Sequence, residues 1–530
     1  MNEHLRFSDA AVLLNERDNV AVARRTLASG TVLEDAPGDA GAVGLQLLRE
    51  VEPGHRFAIA TIGESQLVRQ YGEPIGTSLG IAPGDKVDHG NMTDEVPIVR
   101  ELPAEMNNVG PTPPPEAERL QFQGFVRPDG RTGTRNWVLV IPSSMCASHE
   151  AQQIATIGEF QHWSAEQYPN VDGVSAIPHG RGCGTPDGDN VETILRVLSS
   201  YATHPNVGAV VFLELGCEKT GQDLLRRWMR ERGMLSEDEQ WVGDRPARWV
   251  GIQQAGGTRR AIEQGLAAVA ELLPLANQTS REARPISELV LGVECGGSDG
   301  FSGISANPSL GRAADLLVAQ GGSVILSEVP EFCGAEHLLA RRARDRATGE
   351  AVYAMVDWYR DRAARLGKDL GMNPSPGNIA GGLLNITIKS LGAIAKGGTT
   401  PVQGTIDYGA PIARPGLNLM QGPGYDQESV PGMVASGATA VVFTTGRGTT
   451  IGNAICPVIK LATNTAIFER MEGDLDLNAG TVVDGTETID QVGQRVLERV
   501  REVASGDRRS CAEETGHREF NIWAPDPLSL

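Results

Sequence analysis

Four apolar runs, each followed at once by a polar or glycine-rich segment, constrain the fold of this chain more than any other feature. They lie at residues 137–141, 207–213, 289–293 and 438–443. Continuous apolar runs of this length are typical of strands that are buried on both faces of a parallel sheet. The segments between them are long enough to form helices, and strands that alternate with helices predict a parallel α/β fold.

The first hundred residues show a different pattern. Residues 20–23 and 56–60 are short β-leaning runs bounded by turn-forming residues. A proline run follows at 111–115, and consecutive prolines stiffen a chain and exclude it from a sheet interior. The predicted organisation is a small β-rich domain at 1–100, a proline-rich linker at 101–122, and a two-part α/β catalytic region at 123–285 and 286–530. We expect the first domain to pack at or near the active site.

Composition and charge exclude several classes of protein. The formal net charge is −20 and the pI is near 5.0, which argues against a nucleic-acid-binding protein because phosphate contacts need basic patches. The first residues lack a basic stretch followed by an apolar run, and no segment is apolar for long enough to span a membrane. The seven cysteines are odd in number and scattered, which favours reduced thiols in the cytoplasm.

Cysteines follow the predicted strands. Cys146, Cys217 and Cys295 come soon after apolar runs, and Cys183 lies in a glycine-rich turn at 179–184. Ligands of open α/β sheets bind beyond the carboxyl ends of the strands, and thiolates are soft ligands that select iron or zinc over magnesium. We hypothesise that at least some of these cysteines converge on a catalytic iron centre, either mononuclear or an iron–sulfur cluster. The alternative is that they are inert packing residues.

The segment at 294–303 is a glycine-rich loop between a predicted strand and a predicted helix. Free amides at a helix start favour an anion. The loop lacks the glycine spacing and the lysine of nucleotide-binding motifs, so a carboxylate is the expected guest. Ser298, Asp299 and Ser302 are therefore candidate substrate-binding residues.

Two cationic residues lie further along the chain. Arg447, in the loop at 444–450, offers a guanidinium suited to bidentate binding of a carboxylate. Lys460 lies nearby in sequence. A lone arginine or lysine is more often a solvated surface charge, so each gains meaning only if the two loops meet.

His55, Glu73 and His89 form an alternative set of metal ligands in the N-terminal domain. Imidazole and carboxylate groups suit a harder divalent ion. Ordinary turn residues are the commoner outcome for such positions.

Several strings of the chain resemble one family together. They are 54–56, 71–76, 124–136, 168–173, 179–184, 216–218, 295–299, 373–378, 396–398, 443–448 and 478–481. With them the chain resembles the altronate/galactarate dehydratase family from end to end. The resemblance implies that the N-terminal domain is of the SAF type, with a β-clip fold.

The resemblance also implies an activity: loss of water from a sugar acid to give a 2-keto-3-deoxy acid, with iron or another divalent metal such as Mn²⁺. Such an elimination needs a general base and a group that stabilises the enediolate. The candidate catalytic residues are His179, Lys219, Arg447 and Lys460. The expected partners are the small-molecule substrate and a second copy of the chain, with neither nucleic acid nor membrane.

Two other functions remain open. A related sulfo-lyase eliminates sulfite from sulfolactate by a comparable reaction. A sugar-acid-binding protein that has lost the chemistry is the alternative from another class. The intact glycine-rich loops, cysteines and Arg447 loop favour the dehydratase.

Overall fold

A computed structural model describes residues 3–38 and 44–526. The N-terminal part contains β1 (His4–Arg6), α1 (Phe7–Ala10), β2 (Ala11–Val12), β3 (Val20–Ala23), β4 (Val32–Glu34), β5 (Leu45–Gln46), β6 (Arg56–Ala58), β7 (Leu67–Gln70), β8 (Glu73–Ser78) and β9 (Met92–Thr93). These strands form three small sheets, in the orders β1-β4-β5, β2-β3-β6 and β7-β8-β9. The predicted β-rich domain is therefore confirmed.

The second part begins after a stretch at 94–115 in which the structure has neither helix nor strand. It contains β10 (Gln121–Val126), β11 (Thr132–Gly133), β12 (Trp137–Pro142), α2 (Met145–His162), β13 (Gly173–Ala176), α3 (Asp189–Ala202), β14 (Val207–Glu214), α4 (Gln222–Glu231), β15 (Trp241–Val242), β16 (Arg245–Gly251), α5 (Ile252–Ala255), α6 (Thr258–Ala276) and β17 (Arg281–Pro285). Its main sheet has the order β13-β12-β14-β16-β15 and is parallel except for β15. A smaller sheet joins β11, β10 and β17.

The third part contains β18 (Val290–Cys295), α7 (Ala306–Ala319), β19 (Ser323–Leu326), α8 (Glu336–Arg341), α9 (Arg346–Arg365), α10 (Pro376–Ala380), α11 (Ile386–Ala393), β20 (Val402–Ile406), β21 (Gly416–Met420), α12 (Asp426–Ala435), β22 (Ala440–Thr445), β23 (Val458–Ala462), α13 (Thr465–Arg470), β24 (Leu477–Asn478), α14 (Gly480–Val483), α15 (Ile489–Ser505) and α16 (Cys511–Glu514). Short 3₁₀ helices lie at Glu116–Glu118, Ile286–Glu288, Val329–Phe332, Leu370–Met372 and Ile394–Gly397. The seven-stranded sheet has the order β20-β21-β19-β18-β22-β23-β24 and is parallel throughout.

All four apolar runs of the sequence became strands of these two sheets, namely β12, β14, β18 and β22. Their side chains are almost wholly buried, as a parallel strand covered by helices on both faces requires. The predicted α/β fold is confirmed.

One hydrophobic core joins the two large sheets. Leu139 and Phe212 of the five-stranded sheet pack in the same cluster as Met433 and Phe443 of the third part. A second cluster covers the other face of the seven-stranded sheet and continues into the N-terminal domain through residues such as Val68. The three parts are therefore held in place by buried apolar surface, which is the main favourable term in folding. Within the described residues, no helix is both long and apolar enough to cross a membrane.

Candidate functional site

The carboxyl edge of the seven-stranded sheet gathers the polar loops of the third part. Glu294 and Cys295 end β18, Glu328 follows β19, and Asp426 begins α12 just after β21. Parallel strands place these positions at the same edge, where open α/β sheets bind ligands. Arg447 follows β22 at the same edge.

Three carboxyl groups converge there, and we call them the acid cluster: Glu294, Glu328 and Asp426. One oxygen from each lies within 4.8 Å of the others, and this is the one group of potential metal ligands found among the described residues. Glu294 and Glu328 have no exposed surface. Burial raises the pKa of Glu328 to about 8 and that of Asp426 to about 7, because desolvation disfavours the charged form. Burial also raises the pKa of Glu294.

A buried lysine balances part of this charge. The Nζ of Lys396 lies 2.5 Å from Oε2 of Glu328. Burial alone would lower the pKa of Lys396, but Glu328 and the other negative groups around it together outweigh burial, and the net shift is upward. When all three acids are ionised, the cluster and this lysine together carry two negative charges, which one divalent cation would neutralise.

The donor atoms of the acid cluster fit such a cation. Oε1 of Glu294 and Oε1 of Glu328 are buried and accept no hydrogen bond from any described residue. A buried carboxylate oxygen without a partner is costly, and carboxylate oxygens are preferred ligands of hard divalent ions. Glu328 also has a left-handed backbone, with φ of 65°. Such strain in a residue other than glycine is typical of functional sites.

A second buried ion pair lies beside the acid cluster. The Nζ of Lys389 is 2.6 Å from Oε1 of Glu331 and donates a hydrogen bond of 2.9 Å to Oδ1 of Asn373. Oε2 of Glu331 is buried and accepts no hydrogen bond from the described residues. After burial, the charge of Glu331 is the main cause that raises the pKa of Asp426, so the pair and the cluster act on each other electrostatically.

The glycine-rich loop after β18 is held by its own polar groups. Asp299 accepts hydrogen bonds from Ser302 at 3.2 Å, Thr463 at 3.0 Å and Asn464 at 3.2 Å. Burial raises the pKa of Asp299 to about 6. The hydroxyl of Ser298 lies 2.7 Å from the sulfur of Cys295. Substrate contacts by Ser298, Asp299 and Ser302 stay a prediction.

The two cationic candidates, Arg447 and Lys460, lie in different environments. The backbone amide of Arg447 donates to the carbonyl of Gly297 at 2.8 Å, so its loop lies against the loop after β18, and its side chain is exposed. Lys460 lies elsewhere. Its Nζ is buried, with the carbonyls of Thr450 and Ile451 at 3.4 and 3.3 Å. Its ammonium group is therefore engaged by main-chain carbonyls and lies apart from the Arg447 side chain's exposed position, and a catalytic role for Lys460 stays a prediction.

The N-terminal domain docks on the same edge. Gly54 packs against Gly300 and Gly381 so closely that a side chain on Gly300 would overlap the carbonyl oxygen of Gly54. Arg56, which is fully buried, donates to the carbonyl of Gly382 at 2.6 Å. The domain therefore covers the loop that carries Asp299.

His55, Glu73 and His89 each have a different partner in the structure. Nε2 of His55 lies 3.2 Å from the carbonyl of Ala380, and Nε2 of His89 lies 2.9 Å from that of Leu384. Glu73 pairs instead with His337 at 3.3 Å. Each residue connects the N-terminal domain to a different segment, and metal binding by this alternative set stays a prediction.

The four cysteines of the iron hypothesis divide between two sheets. Cys295 is buried at the edge of the seven-stranded sheet, whereas Cys146, Cys183 and Cys217 are exposed on segments that follow strands of the five-stranded sheet. Among the described residues, no three of these sulfurs lie within 4.8 Å of one another. A single ion shared by three of them is therefore not formed in this structure.

Both ring nitrogens of His179 are engaged by the main chain. The residue is buried, its Nε2 lies 3.0 Å from the carbonyl of Pro142, and its Nδ1 accepts from the amide of Arg181 at 3.2 Å. Burial lowers the pKa of His179 to about 4. Lys219 lies on the next loop, where it donates to the carbonyl of Thr185 at 3.1 Å. Catalysis by His179 and Lys219 stays a prediction.

This environment predicts a dependence of stability on acid. The folded protein keeps His179 neutral, whereas the unfolded chain takes up a proton near pH 6.5. The stabilisation is thus present above pH 6.5 and lost as the pH falls towards 4. We expect the melting temperature of the His179→Gln variant to change less between pH 6.5 and 4.5 than that of the wild type. His149→Gln, at an exposed position of α2, is the control; equal slopes in all three proteins would contradict the assignment.

Comparisons with known proteins agree along the whole chain. Family models match at residues 9–95 (altronate/galactarate dehydratase SAF domain), 124–277 (D-galactarate dehydratase/altronate hydrolase, second domain) and 286–527 (D-galactarate/altronate dehydratase, C-terminal). The altronate dehydratase of Escherichia coli (strain K12) is 33% identical, over 97% of this chain and 98% of that protein. The galactarate dehydratase (L-threo-forming) of the same organism is 34% identical, over 98% and 97%. The chain belongs to the altronate/galactarate dehydratase family.

A relative with another named activity also matches. The (2R)-sulfolactate sulfo-lyase subunit beta of Chromohalobacter salexigens is 32% identical, over 76% of this chain and 97% of that subunit. Membership of the family therefore indicates the fold, but it does not by itself identify the group that is eliminated from the substrate.

Sequence reasoning missed the acid cluster. Glu294 directly precedes a cysteine that was singled out, and Glu328 follows the short apolar run at 323–326. Like the four apolar runs that predict β12, β14, β18 and β22, this run is followed by a polar residue. The same pattern therefore marks Glu328 as a residue at the carboxyl end of a strand. Lys396 belongs to a string that carried the family resemblance, yet its buried pairing with Glu328 is visible only in three dimensions.

Proposed function

We propose that this chain is a carbon–oxygen lyase that removes water from a sugar acid, an aldonate or aldarate such as altronate or galactarate, and releases a 2-keto-3-deoxy acid. The observation that carries the proposal is the buried Lys389–Glu331 ion pair beside the acid cluster, at the edge that the N-terminal domain covers. The two dehydratase relatives named above support the same reaction class.

The ion pair offers a base and an acid in contact. The unpaired oxygen of Glu331 would take the proton from the carbon next to the substrate carboxylate. The ammonium of Lys389 would give a proton to the departing hydroxyl, which leaves as water. The enol that remains becomes the keto acid when the neighbouring carbon takes up a proton from solvent and the enol hydroxyl releases its proton to solvent. The pair is restored when the proton on Glu331 passes to Lys389 across their 2.6 Å contact.

Glu294, Glu328 and Asp426 would hold the divalent cofactor, Fe²⁺ or Mn²⁺. When bound, such an ion supplies Lewis acidity that stabilises the enediolate and assists loss of the hydroxyl. Lys396 opposes the rise in the pKa of Glu328 that burial causes, and it fixes the position of that carboxyl group through the 2.5 Å ion pair. The strained backbone of Glu328 then directs its carboxyl group towards Glu294 and Asp426.

Arg447 would bind the substrate carboxylate. Its guanidinium is exposed and pairs with no carboxylate among the described residues, and its loop lies against the loop after β18. A planar guanidinium binds a carboxylate through two parallel hydrogen bonds, whereas lysine cannot.

We therefore expect Arg447→Lys to raise KM about tenfold, the loss of about 1.4 kcal/mol that one weakened charge-assisted hydrogen bond brings. The melting temperature should not change, because the side chain is exposed. Arg470→Lys, at another exposed position on α13, serves as the matched control in steady-state kinetics. An unchanged KM for Arg447→Lys would make Arg447 an ordinary surface charge.

The activity itself is tested with purified protein under anaerobic conditions, with Fe²⁺ or Mn²⁺ added. A panel of aldonates, aldarates and sulfolactate is assayed for 2-keto-3-deoxy acid and for sulfite. Formation of the keto acid from at least one sugar acid is the expected result. Sulfite release from sulfolactate alone would assign the sulfo-lyase reaction instead, and binding without turnover would leave a sugar-acid-binding protein.

Assembly and location complete the proposal. We propose a homodimer in the cytoplasm, where the seven free thiols would stay reduced. Light scattering of the purified protein measures the assembly directly.

A further inference from the structure

The second part of the chain carries a feature that the proposed reaction does not use. Strands β13, β12 and β14 are neighbours in the five-stranded sheet and run parallel. Each strand is followed by one cysteine: Cys183 in the loop after β13, Cys146 in the first turn of α2 after β12, and Cys217 in the loop after β14. We call these three residues the thiol edge. All three are exposed and free.

Buried polar groups hold the loops of the thiol edge. Glu218 accepts hydrogen bonds from the amides of Gly216 and Cys217 at 2.7 and 2.9 Å, and from the hydroxyl of Ser143 at 2.6 Å. Burial alone would raise the pKa of Glu218, but these hydrogen bonds lower it, so the carboxylate stays ionised. His179 fixes the loop of Cys183 in the same manner, through the amide of Arg181.

The loops approach one another without bringing the three sulfurs together. Cys183 Sγ lies 3.9 Å from the carbonyl oxygen of Cys217. Cys146 lines a cavity of about 280 Å³ with Gly182 and Gly184, the two neighbours of Cys183. The polar side chains of Arg181 and Asn190 also line this cavity, unlike the apolar packing that surrounds an inert buried thiol.

The distances between the three sulfur atoms determine whether the thiol edge can bind a single metal ion or a cluster. A single ion binds each sulfur at about 2.3 Å, so it requires the sulfurs to lie within about 4.6 Å of one another. The three sulfurs do not all meet the wider limit of 4.8 Å. A four-iron cluster binds each thiolate through a different iron, so its ligands stand further apart.

We propose that Cys146, Cys183 and Cys217 ligate an iron–sulfur cluster, at a site separate from the acid cluster and without Cys295. Three thiolates leave one metal position for an oxygen ligand such as a hydroxyl or carboxylate. Arg181 connects the two regions, since its Nη2 lies 3.3 Å from Oε1 of Glu428, on the helix that begins with Asp426.

The test uses the full-length protein, purified and reconstituted anaerobically with iron and sulfide. Iron and acid-labile sulfide are measured, together with the visible absorption and the electron paramagnetic resonance of the reduced protein. Cys146→Ala, Cys183→Ala and Cys217→Ala should each lose most of the iron, the sulfide and the spectrum. Alanine is preferred to serine because a serine oxygen can replace a thiolate. Cys295→Ala and Cys511→Ala are the matched controls and should keep all three signals.

The outcomes separate this proposal from the proposed function. Glu331→Gln should lose turnover and keep the cluster. Wild-type protein that binds iron without sulfide, or thiol-edge variants that retain the full spectrum, would overturn the cluster. Loss of the cluster in Cys295→Ala would overturn the separation of the two sites. Circular dichroism of each variant shows whether a loss of cluster is only a loss of fold, and a cluster lost only in misfolded variants would also count against the proposal.

Discussion

Glu331→Gln should lower kcat by about 10²–10⁴-fold, the range that a positioned general base contributes. The amide keeps the size of the side chain and one acceptor for Lys389, but it cannot take a proton from carbon. Glu331 is 1% exposed and its ion pair with Lys389 spans 2.6 Å, so the substitution also leaves a buried ammonium without its counter-charge. The measurement is keto-acid formation at saturating substrate, together with the metal content of the variant, which should not change.

A matched control tests whether any buried glutamate would give the same loss. Glu336 is 2% exposed and pairs with Arg360 at 2.7 Å, away from the acid cluster. Glu336→Gln should retain turnover close to that of the wild type. If Glu331→Gln keeps kcat within a factor of about three, the base lies elsewhere and the Lys389–Glu331 pair is only a structural ion pair.

Gly300→Ala should abolish most of the activity, because the added methyl group should displace the N-terminal domain. A methyl group on Gly300 would overlap the carbonyl oxygen of Gly54. The atoms of Gly54 that it would meet all belong to the main chain, so they cannot rotate away as a side chain could. The N-terminal domain must then shift off the loop that carries Asp299. We expect kcat/KM to fall by 10²-fold or more, on the order of the loss that a misplacement of about 1 Å causes in an active site. Small-angle scattering and limited proteolysis at 94–115 should report the loosened domain.

Gly377→Ala is the corresponding control. Gly377 lies in α10, close in sequence to Gly381, and a methyl group there would meet no atom within 4 Å. Its activity and proteolysis should match the wild type. Unchanged kinetics in Gly300→Ala would show that the contact between the domains is not needed for catalysis.

The sequence predicts the α/β fold best where it contains long continuous apolar runs. The runs that became β12, β14, β18 and β22 are long and apolar because both faces of each strand are covered. Strand β19 has only four residues, and so short an apolar run predicts a strand only weakly. The sequence therefore does not single out Glu328 and Glu331, which follow this strand. The pairing of β10 with β17 joins residues far apart in sequence, and no local pattern specifies such a contact.

The site was predicted in part, for a physical reason. The rule that ligands bind at the carboxyl ends of strands singles out the loop of Asp299 and the loop of Arg447 as candidates, and the structure brings these two loops into contact. The rule cannot say which sheet a strand joins, so Cys295 was grouped with cysteines of the other sheet. It also cannot give the direction of a side chain within a strand. Lys460 lies in β23 next to the loop of Arg447 in sequence, yet its ammonium group points to the carbonyls of 450 and 451.

We expect the acid cluster to bind the catalytic cation at the covered edge of the seven-stranded sheet. Anomalous diffraction from anaerobic crystals of the protein with Mn²⁺ or Fe²⁺ and a sugar acid measures where the cation lies. The expected result is an anomalous peak coordinated by Glu294, Glu328 and Asp426, with the sugar acid between that peak and Arg447. A fully active enzyme whose crystals show metal at the thiol edge or at His55 and His89, and none at the acid cluster, would show that the acid cluster is not the catalytic metal site.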